Sequence, residues 1–446
     1  MTNPAQDAPA ASGPAPLKVA LLGGGTVGSQ AARILTEDAE ALRDRVGAPL
    51  ELTGIAVRSL GAERDWRADP ALYTTDAEAL VDGADIVIEL MGGTEPARTL
   101  IRRALAAGTS VITGNKALLA QHGEELFALA SETGAQLSFE AAVAGAIPIL
   151  RPLRDSLSGD TVTRVMGIAN GTTNFILDRM DTEGADFADA LAEAQRLGYA
   201  EADPTADVGG LDAAAKAAIL ATLSFGAPYT LDDVAVEGIT AITAEDNAAA
   251  ADAGYVIKLL AIAERATAED GTSGAVLRVH PTLLPREHPL ASVRGAYNAV
   301  FVEAENAGQL MFYGPGAGGA PTASAVMGDV VSIAQRIVRG GPARLRTPVA
   351  QLPALDAAEA STSCMVVLHV ADEPGVLRRV AAVFEEHGVS LETLRQVQSD
   401  RAAAPGASLR LITHRARQRD LDATVDALAA LDAVHEVVSV LKAEGN

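Results

Sequence analysis

The sequence predicts an α/β protein in three parts: a parallel sheet wrapped by helices, then an α+β region, then a small βαββαβ block. Three observations carry this. From Leu17 to about Pro148, short apolar runs alternate with amphipathic helical stretches, the rhythm of right-handed βαβ units on a parallel sheet. After Pro148 the runs lengthen and read as antiparallel strands mixed with helices. From residue 362 the order is strand, helix, strand, strand, helix, strand, which is a ferredoxin-like fold. A chain of 446 residues is too long for one ordinary core, so two or three domains are expected.

The elements follow in order. Residues 1–16, MTNPAQDAPAASGPAP, read as a disordered Ala/Pro tail without the basic and apolar regions of a signal peptide. LKVALLG (17–23) is a strand, and 26–47 has helical periodicity. ELTGIAVR (51–58), ADIVIEL (84–90) and TSVIT (109–113) are further buried strands, with helices at 96–107 and 116–133. This first region spans 17–148 and is completed by a helix around 318–340. In the region 149–317, GDTVTRVMGIAN, SGAVLRVHPTLL and YNAVFVEAEN read as strands, and 186–197, 210–225 and 246–265 as helices. Residues 341–361 carry three prolines and read as a linker. The C-terminal block, 362–446, has strands near 365–371, 389–398, 407–415 and 434–442, and helices at 376–387 and 419–431.

Composition narrows the function. Hydrophobic residues at 48% and charged residues at 21% argue against long disorder, and 3% aromatics leave the cores to Ala, Val, Leu and Ile. Lys plus Arg number 35 against 58 Asp plus Glu, a net charge of −23. So acidic a surface repels nucleic acid and anionic membranes, yet it admits an anionic cofactor held by local amides. The single cysteine, Cys364, excludes a disulfide framework or a multi-cysteine metal site and suits the reducing cytoplasm. The longest apolar runs, such as 141–150, fall short of the roughly 20 residues of a membrane span.

Gly23-Gly24-Gly25-Thr26-Val27-Gly28 fits G-x-G-x-x-G, placed after a buried strand and opening a helix, as a dinucleotide-binding Rossmann-like domain requires. Gly23 permits the tight turn, Gly25 the close approach of a pyrophosphate, and Gly28 the packing of helix on strand. A glycine-rich turn without ligand is the plainer alternative. The second strand ends Val57-Arg58-Ser59 with no carboxylate for a ribose 2′-hydroxyl. Arg58 there suits a 2′-phosphate, so NADP or NAD is the expected cofactor; a solvated strand end is the other reading. Gly93 and Thr94 follow another strand, and Lys116 stands at the carboxyl edge of the next, where ligands bind in open α/β sheets.

The stretch Gly198-Tyr-Ala-Glu201-Ala-Asp203-Pro-Thr-Ala-Asp207-Val-Gly-Gly-Leu-Asp212-Ala-Ala-Ala-Lys216 packs four carboxylates into a Gly/Pro-interrupted loop that feeds a helix. Asp212 and Lys216 are four apart and share a helical face that the alanines leave uncrowded. On spacing alone this is a catalytic ammonium with a carboxylate partner, a plain surface ion pair, or a divalent-metal site lacking EF-hand spacing.

This stretch resembles the signature of homoserine dehydrogenases. GGGTVG, TGNK (113–116), EAAVAGAIPI (140–149), GIANGTTNFIL (167–177), HPLASVRGAYNAVF (288–301) and MFYGPGAGGAPTASAV (311–326) resemble that family in order and spacing. The resemblance implies the reversible NAD(P)-dependent interconversion of L-homoserine and L-aspartate 4-semialdehyde, on the route to threonine, methionine and isoleucine. It implies that Lys216 moves the proton at the substrate oxygen, that Glu201 and Asp212 hold the substrate ammonium, and that Lys116 lies between nicotinamide and substrate. It further implies cofactor contacts at Gly198, Gly316, Gly318 and Gly319, and a monovalent cation, sodium, at Glu140 with the backbones of Val143, Gly145 and Ile147. The chemistry is coherent, since an ammonium stabilises and protonates the oxyanion that hydride addition creates.

Residues 362–442 resemble an ACT domain through Asp372-Glu-Pro374-Gly375-Val-Leu377, a turn into the first helix of the βαββαβ block. This implies an amino-acid effector, L-threonine, between paired protomers of a homodimer or homotetramer, or a domain used only for assembly. Cys364 lies in that block, which argues against a thiolate-dependent semialdehyde dehydrogenase. A 2-hydroxy-acid dehydrogenase would want a His–acid pair, and a silent amino-acid or redox sensor would not need Lys216.

Overall fold

The computed structural model describes residues 14–341, 351–399 and 406–445. Residues 1–13 of the expected tail and 342–350 of the expected linker lie outside the described residues. The described residues divide into two compact units, one running to Ala146 and resuming from Gly318 to residue 341, the other holding Ile147–Ala317 and the chain from residue 351.

In the first unit the elements are β1 (Leu17–Leu22), α1 (Thr26–Glu37), α2 (Ala39–Val46), β2 (Leu50–Ala56), β3 (Tyr73–Thr74), α3 (Ala77–Asp82), β4 (Ile86–Glu89), α4 (Ala97–Ala106), β5 (Ser110–Thr113), α5 (Lys116–Thr133) and β6 (Leu137–Ser138). The six strands are parallel and ordered β3-β2-β1-β4-β5-β6. Strand order reverses beside β1, the switch point at which such sheets bind dinucleotides. Leu22 lies opposite both Ala56 and Glu89, and Glu89 opposite Thr113. Four strands therefore end level, and the loops after them emerge at one edge. The expected helix over 26–47 is two helices, broken at Asp38, whose φ of −99° and ψ of 19° leave the helical region.

The helix Gly319–Arg339 returns from far along the chain to complete this unit. Its Ala323, Val326, Val330 and Ile333 are buried with Val19, Leu21, Ile86 and Ile88 of the sheet and Ala31 of α1. Alanines on the facing helices leave room for the branched residues, each worth about 1.5–3 kcal/mol when fully buried.

The second unit opens with β7 (Val162–Ile168), α6 (Gly171–Glu183), α7 (Phe187–Arg196), α8 (Thr205–Val208), α9 (Leu211–Phe225), β8 (Val234–Val236), α10 (Ala244–Asp252), β9 (Tyr255–Thr267), β10 (Ser273–Pro285), β11 (Tyr297–Ala304) and β12 (Gly308–Pro315). With the returning helix counted as α11, there follow β13 (Ser361–Val370), α12 (Val376–Glu386), β14 (Leu391–Ser399), β15 (Gly406–Thr413), β16 (Ala416–Arg417), α13 (Gln418–Ala429) and β17 (Val434–Ala443).

The helix expected over 246–265 is corrected here. α10 stops at Asp252, Gly254 takes a left-handed φ of +84°, and Tyr255–Thr267 pairs along its whole length with β10. The run YVIKLLAIA is buried on both faces, and a continuous apolar run carries no period that separates a buried strand from a buried helix.

The C-terminal strands are ordered β17-β13-β15-β14, with α12 and α13 on one face. Val366, Leu368, Leu409 and Leu411 pack there against Val380, Phe384, Leu421 and Leu428. The block is not self-contained. β17 also pairs in parallel with β10 through Thr282–Lys442 and Leu283–Ala443, giving one eleven-stranded sheet. Two strand edges that would each present bare N–H and C=O groups satisfy one another.

Candidate active site

α9 carries the central group. Ala213, Ala214, Ala217, Ala218 and Ala221 are buried, so this helix lies close against the sheet rather than leaving an uncrowded face, and it takes Lys216 down with it. The Lys216 Nζ donates to the Ala169 carbonyl at 2.5 Å and to Asp212 Oδ2 at 2.7 Å. A buried ammonium is tolerable only when paired and hydrogen-bonded in this way.

The same Asp212 oxygen accepts Asn170 Nδ2 at 2.9 Å, and Asn170 Nδ2 also donates to Asp207 Oδ1 at 2.7 Å. Asn170 Oδ1 accepts the Thr173 amide at 2.9 Å and caps α6. Thr172 Oγ1 reaches the Tyr199 carbonyl at 2.6 Å and Asp207 at 3.4 Å. Asp207, Asp212 and Lys216 are therefore brought together around one asparagine. Glu201 and Gly198 lie on the neighbouring loop, Glu201 exposed with its carbonyl accepting Gln195 Nε2, and Gly198 at φ +78° after α7. Asn170 and Thr172 escaped the sequence reading. Their signal was the Asn-Gly-Thr-Thr run where a strand turns into a helix, an N-cap pattern.

The first unit gathers the other candidates on its carboxyl edge. Gly23 has φ +105°, and a Cβ on Gly28 would lie 2.0 Å from the Gly23 carbonyl. Gly25 caps α1 without a side-chain hydrogen bond, and a Cβ there would meet nothing within 4 Å. An uncapped helix start above open space is the cradle a pyrophosphate needs, so these residues fit the dinucleotide. Thr26 faces Gly319, where a Cβ would lie 3.0 Å from the threonine carbonyl, and Gly318 has φ +118°. Gly316 belongs to the second unit and is required there by Asn298, whose side chain fills the place of a Cβ. Arg58 is exposed just beyond β2. Arg64, which the sequence reading passed over, lies 3.2 Å from where a Gly24 Cβ would stand and stacks on Tyr73.

Glu89 was also missed. It is fully buried at the end of β4, accepting Thr113 Oγ1 at 2.6 Å and the Met91 amide at 2.8 Å. Burial pushes its carboxyl above the usual range, against the pull of those bonds. Thr113 in turn accepts the Asn115 amide, and Asn115 Nδ2 donates to the Gly93 carbonyl at 2.7 Å while its Oδ1 caps α5. One carboxylate thus ties the loop of Gly93 and Thr94 to the start of α5, where half-buried Lys116 sits.

Glu140 is buried in a 3-10 turn, its amide bonded to Asp329 Oδ2 at 2.9 Å. Val143 and Gly145 follow, with Ala144 and Gly145 both at φ +55°. Consecutive left-handed residues swing the peptide carbonyls out of line, and one buried carboxylate with such carbonyls is an oxygen set that fits a monovalent ion. Among the described residues no group of three or more His, Cys, Asp or Glu is placed to hold a metal.

A family model for homoserine dehydrogenase matches residues 148–331, one for the homoserine dehydrogenase NAD binding domain matches 23–140, and one for the ACT domain matches 365–433. The homoserine dehydrogenase of Corynebacterium glutamicum is 53% identical over 428 residues, covering 96% of this chain and 95% of that protein. The chain belongs to the homoserine dehydrogenase family. The Mycobacterium tuberculosis homoserine dehydrogenase is 52% identical over 434 residues, 96% of this chain and 98% of its own length. A crystal structure of a homoserine dehydrogenase from Thiobacillus denitrificans superposes with a TM-score of 0.87 at 38% identity, covering 97% of this chain and 99% of that one. A hyperthermophilic archaeal homoserine dehydrogenase in complex with NADPH aligns at TM-score 0.60 and 29% identity, over 73% of this chain and 99% of its own. The fold is thus a Rossmann-like NAD(P)-binding domain, a catalytic domain and a C-terminal ACT domain, and the activity is that of an NAD(P)-dependent homoserine dehydrogenase. No helix among the described residues is long and apolar enough to cross a membrane.

Proposed function

We propose that Lys216 is the proton-transfer residue of this dehydrogenase. The observation that carries the reading is its buried Nζ, held by Ala169 and Asp212 at the start of α9. The bound nicotinamide supplies the hydride acceptor in oxidation and the hydride donor in reduction. In its neutral amine form Lys216 takes the proton from the homoserine hydroxyl as the alcohol is oxidised to L-aspartate 4-semialdehyde, and as the ammonium it returns that proton to the aldehyde oxygen in reverse. Asp212 and Glu201 hold the substrate ammonium, and Asn170 keeps the Asp212 carboxylate turned toward Lys216. Lys116 serves at the nicotinamide, with its loop set by Glu89 and Asn115. Gly23, Gly25, Thr26, Val27, Gly28, Gly93, Thr94, Gly198, Gly316, Gly318 and Gly319 form the cofactor contacts.

NADP is the preferred cofactor on this reading, with Arg58 exposed at the end of β2 to meet the 2′-phosphate. One kinetic series tests both ends of the site. Asp212→Asn should raise KM for L-homoserine at least tenfold, and Arg58→Ala should raise KM for NADP about tenfold while leaving that for NAD unchanged. Equal effects of Arg58→Ala on both cofactors would remove Arg58 from the 2′-phosphate.

Glu140, with the carbonyls of Val143, Gly145 and Ile147, holds the sodium ion. Activity in sodium-free buffer should fall and recover on titration of NaCl, and Glu140→Gln should lose that response. An unaltered sodium titration in the variant would place the ion elsewhere. The enzyme works in the cytoplasm as a homodimer or homotetramer, with L-threonine as effector at the Asp372–Leu377 turn.

A further inference from the structure

Proton transfer at Lys216 leaves a second buried lysine unexplained. Lys258, on β9, is 0% exposed. Strand alternation puts it on the face of Val256 and Leu260, which pack in an apolar cluster with Met166, Leu290 and Val293. Its Nζ donates to the Val293 carbonyl at 2.6 Å and to Asn174 Oδ1 at 3.0 Å. Among the described residues no carboxylate is hydrogen-bonded to it, in contrast to Lys216. Burial brings its ammonium down to about 8, with Asp178 and Asp181 pulling upward and Arg294 and Arg286 downward. An ammonium among neutral acceptors is costly to bury.

What Lys258 fixes is the direction of one amide. An ammonium has donors and no acceptor, so Asn174 must turn Oδ1 toward Lys258 and Nδ2 away from it. Nδ2 then donates to the carbonyls of Gly295 at 2.8 Å and Tyr297 at 3.2 Å. Turned the other way, the amide would set its oxygen against those carbonyls and its N–H groups against the ammonium. Asn170, Asn174 and Asp178 follow one another at i, i+4 and i+8 along α6. Asp178 accepts the Gly295 amide at 2.8 Å and Arg294 Nη1 at 2.8 Å, so segment 293–297 lies along this stripe. It presses on the first turn of α6, where a Cβ on Gly171 would lie 2.6 Å from the Ala296 carbonyl. The next residue back is Asn170, which holds Asp207 and Asp212, and Asp212 holds Lys216.

We propose that Lys258 is a positioning residue for the reaction: by fixing the Asn174 amide it seats segment 293–297 against Gly171 and keeps Asn170, and through it Asp212, in place beside Lys216. Being fully buried, Lys258 acts only through these neighbours. This role rests on the site assigned around Lys216.

The test is a double-mutant cycle on the full-length enzyme, read by steady-state kinetics with L-homoserine and NADP. Lys258→Met keeps the length of the side chain and should lower kcat about 10- to 100-fold, the effect of a small misplacement of catalytic groups. KM for NADP should change by less than about twofold. Asn170→Ala should lower kcat by itself, and adding Lys258→Met to it should cost less than about threefold more, because both act on one network. Losses that multiply in full in the double variant would overturn the role, as would a folded Lys258→Met with kcat within about twofold of wild type. A KM for NADP that rises in step with the loss of kcat would mark general damage and overturn it too. Should Lys258→Met fail to fold, Asn174→Ser keeps the lysine, frees the segment and takes its place in the cycle. Turnover retained in Lys216→Met would overturn only the proton-transfer reading, since the coupling of Lys258 to Asn170 is read on kcat whichever group moves the proton.

Discussion

Lys216→Met should lower kcat by 10²- to 10⁴-fold, roughly 3–5.5 kcal/mol of barrier, with NADP affinity within twofold of wild type. The methionine keeps the length and apolar stem of lysine, so α9 loses no packing against the sheet. What goes is the group that donates to Ala169 and Asp212 and, on the proposed mechanism, to the reacting oxygen. The dinucleotide loop Gly23–Gly28 belongs to the other compact unit, so its amides are untouched. Steady-state kinetics on L-homoserine gives kcat, and fluorescence titration gives the NADP affinity. Lys216→Ala should in addition be rescued in part by millimolar methylamine, which refills the ammonium position. A methionine variant that keeps a tenth of wild-type turnover would exclude proton transfer by Lys216. A lost NADP affinity would make its role structural.

The legible parts of this protein were those with a local signature. The glycine loop, the strand–helix alternation and the Asp212–Lys216 spacing each occupy a few consecutive residues or one helical face, and the structure places each on the expected element. Failures came where long-range burial decides the outcome. Tyr255–Thr267 is apolar on every side because it is an inner strand buried on both faces, and that same property hides its period. Glu89 and Glu444 read as ordinary acids in sequence, yet both are fully buried. What makes them tolerable is a set of partners 24 residues away in one case, Thr113, and as many as 280 residues away in the other, Arg164. Asn170 is a hydrogen-bond bridge across 37 and 42 residues, and no spacing rule reports such a bridge.

Glu444→Gln should destabilise the second unit by about 3–5 kcal/mol, the usual cost of breaking a buried ion pair from one side, and lower its melting temperature by about 10 °C. Just past β17, this carboxylate accepts from Arg164, from Arg278 at 2.6 Å, from Arg415 at 3.0 Å and from Thr362 Oγ1 at 3.1 Å. Burial alone would raise its pKa. The arginines Arg164, Arg278 and Arg415 outweigh burial and bring it down from 4.5 to about 2. The folded value lies below the unfolded one, so the stabilisation is complete above about pH 4.5 and is lost as pH falls through 2, about 3 kcal/mol in all. Thermal unfolding of wild type and variant at pH 7, 5, 4 and 3 should show a gap that is constant down to pH 5 and narrows below it. A gap that does not change with pH would mean that the carboxylate's charge contributes nothing and only its shape matters. The same network bears on regulation. Removing residues 362–446 strips Glu444 from Arg164 and Arg278 and leaves both arginines on the one carboxylate of Glu264. It also bares the edge of β10 that β17 covers. A truncated enzyme would therefore lose its fold along with any effector response, so a point substitution such as Asp372→Ala is the informative route to the effector site.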